Sequence, residues 1–136
     1  MKSKIVLTVC AGFLCVMGLA LDFLPQEAAA ALGLGLTPIA VLILQVFSAA
    51  LLGMGFLNWL SRGNPMGGIY SRPLALQNLL FFGVGAIPLD RAAFHAGPIL
   101  AIQMAACVFT VFAAAFAWLM FFHDPIPKVQ KNEPHP

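Results

Sequence analysis

Charged side chains are scarce in this sequence. Asp, Glu, Lys and Arg together make up 9% of the 136 residues, whereas soluble domains average about 25%. So few charges cannot cover the surface of a globule in water, but a helix bundle that faces lipid needs almost none. The formal net charge of +2 is also too small to favour a nucleic-acid partner. The composition therefore excludes an ordinary soluble domain and makes the lipid bilayer the expected surroundings.

Residues that bind metals and cofactors are also few. The three cysteines form no CxxC pair and lie within apolar runs, where we expect them to pack as small apolar residues (Cys10, Cys15 and Cys107). The three histidines fall in predicted loops or in the tail, away from the membrane depth at which a haem would be bound (His95, His123 and His135). No serine or cysteine has a histidine base at a matching depth. We expect no metal, no cofactor and no autonomous catalytic centre.

What the sequence does contain is long apolar runs, since 61% of its residues are hydrophobic. About 20 residues of helix cross the ~30 Å hydrocarbon core of a bilayer. The runs predict four spans, over residues 5–24, 38–60, 73–89 and 98–122, and hence an all-α integral membrane four-helix bundle within residues 1–124. The Pro-rich polar segment 125–136 cannot bury a core, and we expect it to be a disordered tail.

Two features near the N-terminus refine this picture. Lys2 and Lys4 precede the first run and Gly18 and Ala20 supply a small-x-small pattern, so a cleaved signal peptide is the alternative to a retained span. We expect the span to be retained. The connection PQEAAAALGLGLTP begins with proline and ends its alanine run at Gly33, which predicts a short helix along the outer interface.

Positive charge is distributed unevenly among the connections. Six of the seven basic residues fall on one side of the predicted bundle (Lys2, Lys4, Arg62, Arg72, Lys128 and Lys131), and Arg91 alone falls on the other. Short cytoplasmic loops retain Lys and Arg. We therefore predict a multi-pass protein of a bacterial inner membrane with both termini in the cytoplasm. Trp59, Tyr70 and Trp118 would lie at the same interface.

Polar residues inside apolar runs usually face protein, because lipid offers them no partner. The outer half contains four that could form one shallow pocket (Asp22, Gln45, His95 and Gln103), together with Asp90 and Arg91 in the predicted outer loop. Alternatively, Gln45 and Gln103 join helices by bonding to one another or to backbone.

A denser polar group lies in the inner half (Asn58, Arg62, Asn64, Tyr70, Arg72 and Asn78). Two arginines beside glycine-rich backbone could bind the phosphate of a lipid headgroup or a phosphorylated metabolite. Alternatively, the arginines only follow the charge asymmetry, and Asn58 and Asn78 tie spans two and three together.

Small residues recur along the spans and are expected to let helix backbones approach closely (Gly12, Gly18, Ala49, Gly53, Gly83, Ala113 and Ala117).

With the segment GMGFLNWLSRGNPMGGIYSRP and the upstream LPQEAAAALGLG, the chain resembles the small bacterial four-helix membrane proteins of the DoxX-like kind. That resemblance implies a four-helix bundle, and some relatives are thought to be subunits of quinone-linked redox complexes.

Three functions are consistent with these patterns. The first is an accessory or structural subunit that packs against other membrane subunits or against further copies of itself. The second is a binding or transport module for a lipid or small amphiphile at the inner arginine loop. The third is a membrane enzyme or redox subunit that works at the outer polar residues, and the resemblance implies a subunit of a quinone-linked redox complex.

Overall fold

The computed structural model describes residues 2–63, 71–95 and 99–122. These residues form five helices and no strand: α1 (Lys2–Phe23), α2 (Pro25–Ala31), α3 (Pro38–Ser61), α4 (Ser71–His95) and α5 (Leu100–Phe122). Each of the four long helices contains a window that is apolar and long enough to cross a membrane. The predicted all-α four-helix bundle is confirmed, and the protein is a multi-pass membrane protein.

The short helix between the first two spans forms as its residues predict. Pro25 occupies the first position of α2, where a missing amide proton costs nothing, and Glu27 lies in the first turn. Gly33 follows the helix with a φ of 70°, a backbone conformation that other residues rarely adopt. Ala29 is completely buried, because α2 packs on both α1 and α3.

The third span is a longer helix than the sequence indicated. It was predicted over residues 73–89, whereas α4 runs from Ser71 to His95 and continues through Pro88. Proline removes one backbone donor, but a helix within a bundle can tolerate that loss. The assignment of Asp90, Arg91 and His95 to a loop was therefore wrong, since all three belong to the last two turns of α4. The start of the fourth span at Pro98 and the tail 125–136 lie outside the described residues.

α1 and α3 are antiparallel neighbours in close contact. A Cβ added to Gly55 would lie 2.7 Å from Cys15 Sγ and 3.2 Å from the backbone of Ala11 and Cys15. A Cβ on Gly18 would lie 2.7 Å from the side chain of Leu52 and 3.2 Å from its backbone nitrogen. Glycine at these two positions is what allows the two backbones to approach.

Only part of the predicted set of packing glycines has this role. Gly18 was expected to allow close packing, and it does. Gly12, Gly53 and Gly83 have nothing within 4 Å of an added Cβ, so they make no close contact with another helix among the described residues. The tight positions are instead Gly55 and Gly85, the latter against the ring of Phe109.

Aromatic rings fill the seam between the α1–α3 pair and the α4–α5 pair. Phe82 is completely buried, with its ring centroid 4.8 Å from that of Phe112 and 6.0 Å from that of Phe116. Phe13 of α1 reaches Phe112 of α5 at 5.4 Å. The ring centroid of Phe47 of α3 likewise lies 6.3 Å from that of Phe81 of α4. The two pairs thus meet mainly through side chains, whereas within each pair the helix backbones lie close together.

Candidate functional sites

A buried amide pair links α3 to α4 near the ends where the basic residues cluster. Asn58 Nδ2 donates to Asn78 Oδ1 at 2.9 Å, and Asn78 Nδ2 donates back to Asn58 Oδ1 at 2.7 Å. Both residues are completely buried. Asn78 Nδ2 also donates to the Leu74 carbonyl at 2.9 Å, and Asn58 Nδ2 approaches Cys10 Sγ at 3.4 Å. Three helices therefore meet at one polar cluster.

This geometry is the one expected of a structural tie between spans two and three. The amide groups of Asn58 and Asn78 use their donors and acceptors on one another, on Cys10 and on backbone. A ligand at the inner loop would have to be bound by the remaining predicted residues. Of these, Arg62 and Arg72 are described, whereas Asn64 and Tyr70 lie outside the described residues.

Arg62 follows the last turn of α3 and lies on an aromatic ring. Its guanidinium carbon is 3.3 Å from the centroid of the Trp59 ring, the arrangement of a cation–π contact. Nη1 of Arg62 is buried and has no hydrogen-bond partner within residues 2–63, 71–95 and 99–122. Arg72, at the start of α4, is exposed. This end of the bundle thus presents one exposed arginine and one that is stacked on tryptophan.

The predicted outer polar group does not converge on a single groove. Asp22 Oδ1 accepts a hydrogen bond from the buried Ser48 hydroxyl at 3.2 Å, which joins α1 to α3. Gln45 lines a groove of about 610 Å³ with Gln26 and Thr37. Thr37 is the N-cap of α3, and its hydroxyl oxygen accepts from the Ala40 amide at 3.2 Å.

Gln103 lies in a different groove, between α4 and α5. Its volume is about 530 Å³, and the polar residues that line it are Asp90, Gln103, Cys107 and Thr110. The Thr110 hydroxyl lies 3.3 and 3.4 Å from the two carboxylate oxygens of Asp90. His95, the last residue of α4, is exposed, and its Nδ1 donates to the Arg91 carbonyl at 2.9 Å. Gln45 and Gln103 therefore serve separate surfaces.

Sequence reasoning missed three residues of these clusters. Ser48 and Thr110 are the hydrogen-bond donors to Asp22 and Asp90, and Cys10 lies against the amide pair. Ser48 and Thr110 are small polar residues within apolar runs, which is the signal that pointed to Asn58 and Asn78, whereas Cys10 was expected to pack as a small apolar residue. Their role could not be read from the sequence, because it depends on the rotation of each helix about its own axis.

Within the part of the chain that the structure describes, no three His, Cys, Asp or Glu side chains are grouped in a way that could hold a metal ion. No family model, no curated protein and no solved structure matches this chain.

Proposed function

We propose that the protein is an accessory subunit that packs against the transmembrane helices of a larger membrane complex. The observation that carries this proposal is a face of small residues on α3 that no other part of the described chain covers. Ala49 and Gly53 are exposed, and nothing lies within 4 Å of a Cβ added to Gly53.

The position of this face follows from helix geometry. Gly53 lies two residues from each of the buried Leu51 and Gly55, and two residues turn a helix by about 200°. Gly53 therefore points away from α1 and the rest of the bundle. Ala49 lies one turn earlier on the same side.

Small residues on a lipid-facing surface favour helix association. Lipid tails are as apolar as leucine, so association in a membrane depends on close packing, which small-xxx-small pairs permit. Large exposed residues flank the pair, including Leu42 and Leu60. The α3 face is therefore shaped for a helix that crosses at Ala49 and Gly53.

Replacing Gly53 with leucine tests this proposal. The variant should fold as the unchanged protein does, because its side chain meets open space, but it should lose helix partners that co-purify from the source membrane in mild detergent. Gly12→Leu is the matched control, since Gly12 is an exposed α1 glycine with the same open surroundings. Partners retained equally by Gly53→Leu and the unchanged protein would contradict the proposal, and native mass spectrometry would show whether the partner is a second copy.

We further propose a bacterial inner membrane location with both termini in the cytoplasm. Because the four long helices alternate in direction, Lys4, Arg62 and Arg72 lie at one end of the bundle and Arg91 lies at the other. Single cysteines placed at Arg72 and at Arg91, in a background without the native cysteines, should react with an impermeant thiol reagent from opposite sides of sealed membranes. Labelling of both from one side would contradict this orientation. Membership of the DoxX-like group is a proposal of the same kind.

A second candidate function is binding of an anionic lipid headgroup at Arg62. The observation that favours it is the buried Nη1 of Arg62, which has no partner within the described ranges. Phosphate oxygens are strong acceptors for a guanidinium group. Anionic lipid should raise the melting temperature of the protein, and Arg62→Gln combined with Arg72→Gln should abolish that rise. An unchanged rise would remove this function.

A further inference from the structure

We infer that the groove between α4 and α5 binds a protonated primary amine carried on an apolar chain, with the carboxylate of Asp90 as its counter-ion. This site is separate from the α3 face and from Arg62, so it stands independently of the functions proposed above. Asp90 belongs to the last two turns of α4, and it faces Gln103 and Thr110 across the groove.

The first argument concerns charge. Asp90 is half-buried, and no Lys, Arg or His nitrogen within the described ranges lies within 4 Å of its oxygens. The adjacent Arg91 is exposed and lies about 100° further around the helix. A carboxylate among apolar helices is costly unless a cation or several donors satisfy it. A cationic ligand would supply the missing partner.

The second argument concerns hydrogen-bond capacity. An ionised carboxylate accepts about four hydrogen bonds, whereas Thr110 offers a single proton at 3.3 to 3.4 Å. A primary ammonium group carries three donors in a compact arrangement. Asp90 and the side-chain carbonyl of Gln103 are acceptors that line the same groove. A quaternary ammonium group has no donors and would leave the remaining acceptor capacity of Asp90 and Gln103 unused.

The third argument concerns shape and depth. The volume of about 530 Å³ falls within the range of small-molecule sites. Phe94, Ala106 and Val111 provide apolar walls. Asp90 precedes the end of α4 by five residues, which is roughly 8 Å along the axis. A headgroup at this depth would leave its hydrocarbon chain in the lipid beside the helices.

Dodecylamine is the probe that tests this site. In detergent, the full-length protein should bind it saturably at neutral pH, and Asp90→Asn should weaken binding about tenfold or more, since an ionic hydrogen bond is lost. Asp22→Asn is the matched control, because Asp22, like Asp90, accepts a hydrogen bond from a side-chain hydroxyl but lies on α1. It should bind the amine as the unchanged protein does. Equal affinity of Asp90→Asn and the unchanged protein would overturn the inference.

A second comparison needs no variant and so does not depend on Asp90→Asn folding. Trimethyldodecylammonium has the same charge and chain but no donors, and it should bind the unchanged protein about tenfold more weakly than dodecylamine. Equal binding of the two probes, or binding of neither, would overturn the inference. Retention of phosphatidylethanolamine over phosphatidylcholine from mixed nanodiscs would identify a lipid as the source of the amine. Dodecylamine binding without that preference would identify a free amine.

Discussion

Replacement of Asn78 with leucine should destabilise the protein, because the buried amide of Asn58 loses its hydrogen-bond partner. Asn78 makes two reciprocal hydrogen bonds with Asn58 and one with the Leu74 carbonyl. Leucine keeps the branched arrangement of the asparagine side chain, so the main loss is polar. The amide of Asn58 would remain completely buried without its acceptor and donor on α4, and each unsatisfied group costs about 1–3 kcal/mol.

The strength of the pair itself is measured by a double-mutant cycle. Hydrogen bonds between membrane helices average about 0.6 kcal/mol and reach about 1.7 kcal/mol. Two reciprocal bonds therefore give a coupling of about 1–3 kcal/mol between Asn58 and Asn78. The variant Asn58→Leu/Asn78→Leu should be more stable by this amount than the sum of the two single changes indicates, because no orphaned amide remains.

Equilibrium unfolding in mixed micelles of mild detergent and sodium dodecyl sulfate, monitored by the loss of helicity, gives the free energies of unfolding of the unchanged protein, the two single variants and the double variant. Gln77→Leu is the control for replacing an amide with leucine, since Gln77 is the adjacent residue but is exposed. It should change the free energy of unfolding by less than about 0.5 kcal/mol. Additive single changes, with coupling below about 0.5 kcal/mol, would show that the pair does not hold α3 against α4.

Three further changes test the packing in the same unfolding assay. Gly55→Ala should destabilise the protein strongly, because the new methyl group would meet backbone atoms of α1 at 3.2 Å. Gly53→Ala should leave the free energy of unfolding unchanged. Equal effects of the two changes would show that Gly55 does not face α1. Gly33→Ala should lower the free energy of unfolding by about 1 kcal/mol, because Gly33 has a φ of 70°. An unchanged free energy of unfolding would contradict that backbone conformation. Phe82→Ala should lower the free energy of unfolding by roughly 2 kcal/mol. This loss is smaller than in a soluble core, because lipid or detergent surrounds the ring with apolar groups even when the helices separate. Val84→Ala, at an exposed position, should change the free energy of unfolding hardly at all.

The elements of this fold could be predicted from the sequence, but the contacts between them could not. Hydropathy alone locates four spans, and Pro25 and Gly33 bound α2. The hydrogen bonds between Asn58 and Asn78 confirm the structural alternative for that pair, since a buried amide in lipid must find another. Binding of a ligand at the inner or outer polar residues stays a prediction.

The glycines show why the remaining contacts were not predictable. Gly53 and Gly55 are two residues apart and both are flanked by apolar residues, yet Gly55 touches α1 and Gly53 faces outward. In water, alternation of polar and apolar residues identifies the buried side of a helix. Here both sides are apolar, so the sequence carries no such mark. The end of α4 was placed too early for a different reason, because Asp90 and Arg91 were assigned to a loop where the apolar run ends, whereas the helix continues through them to His95.

The aromatic seam has a consequence for biogenesis. Because α1 and α3 already fit each other closely, the first half of the molecule can reach a settled arrangement in the bilayer while the second half is still being synthesised. α4 and α5 would then form a second unit that meets the first by lateral diffusion, when the rings of Phe112 and Phe81 come against Phe13 of α1 and Phe47 of α3. Contacts between aromatic rings allow the two halves to shift against each other. The directional hydrogen bonds between Asn58 and Asn78 at one end would then fix their final position.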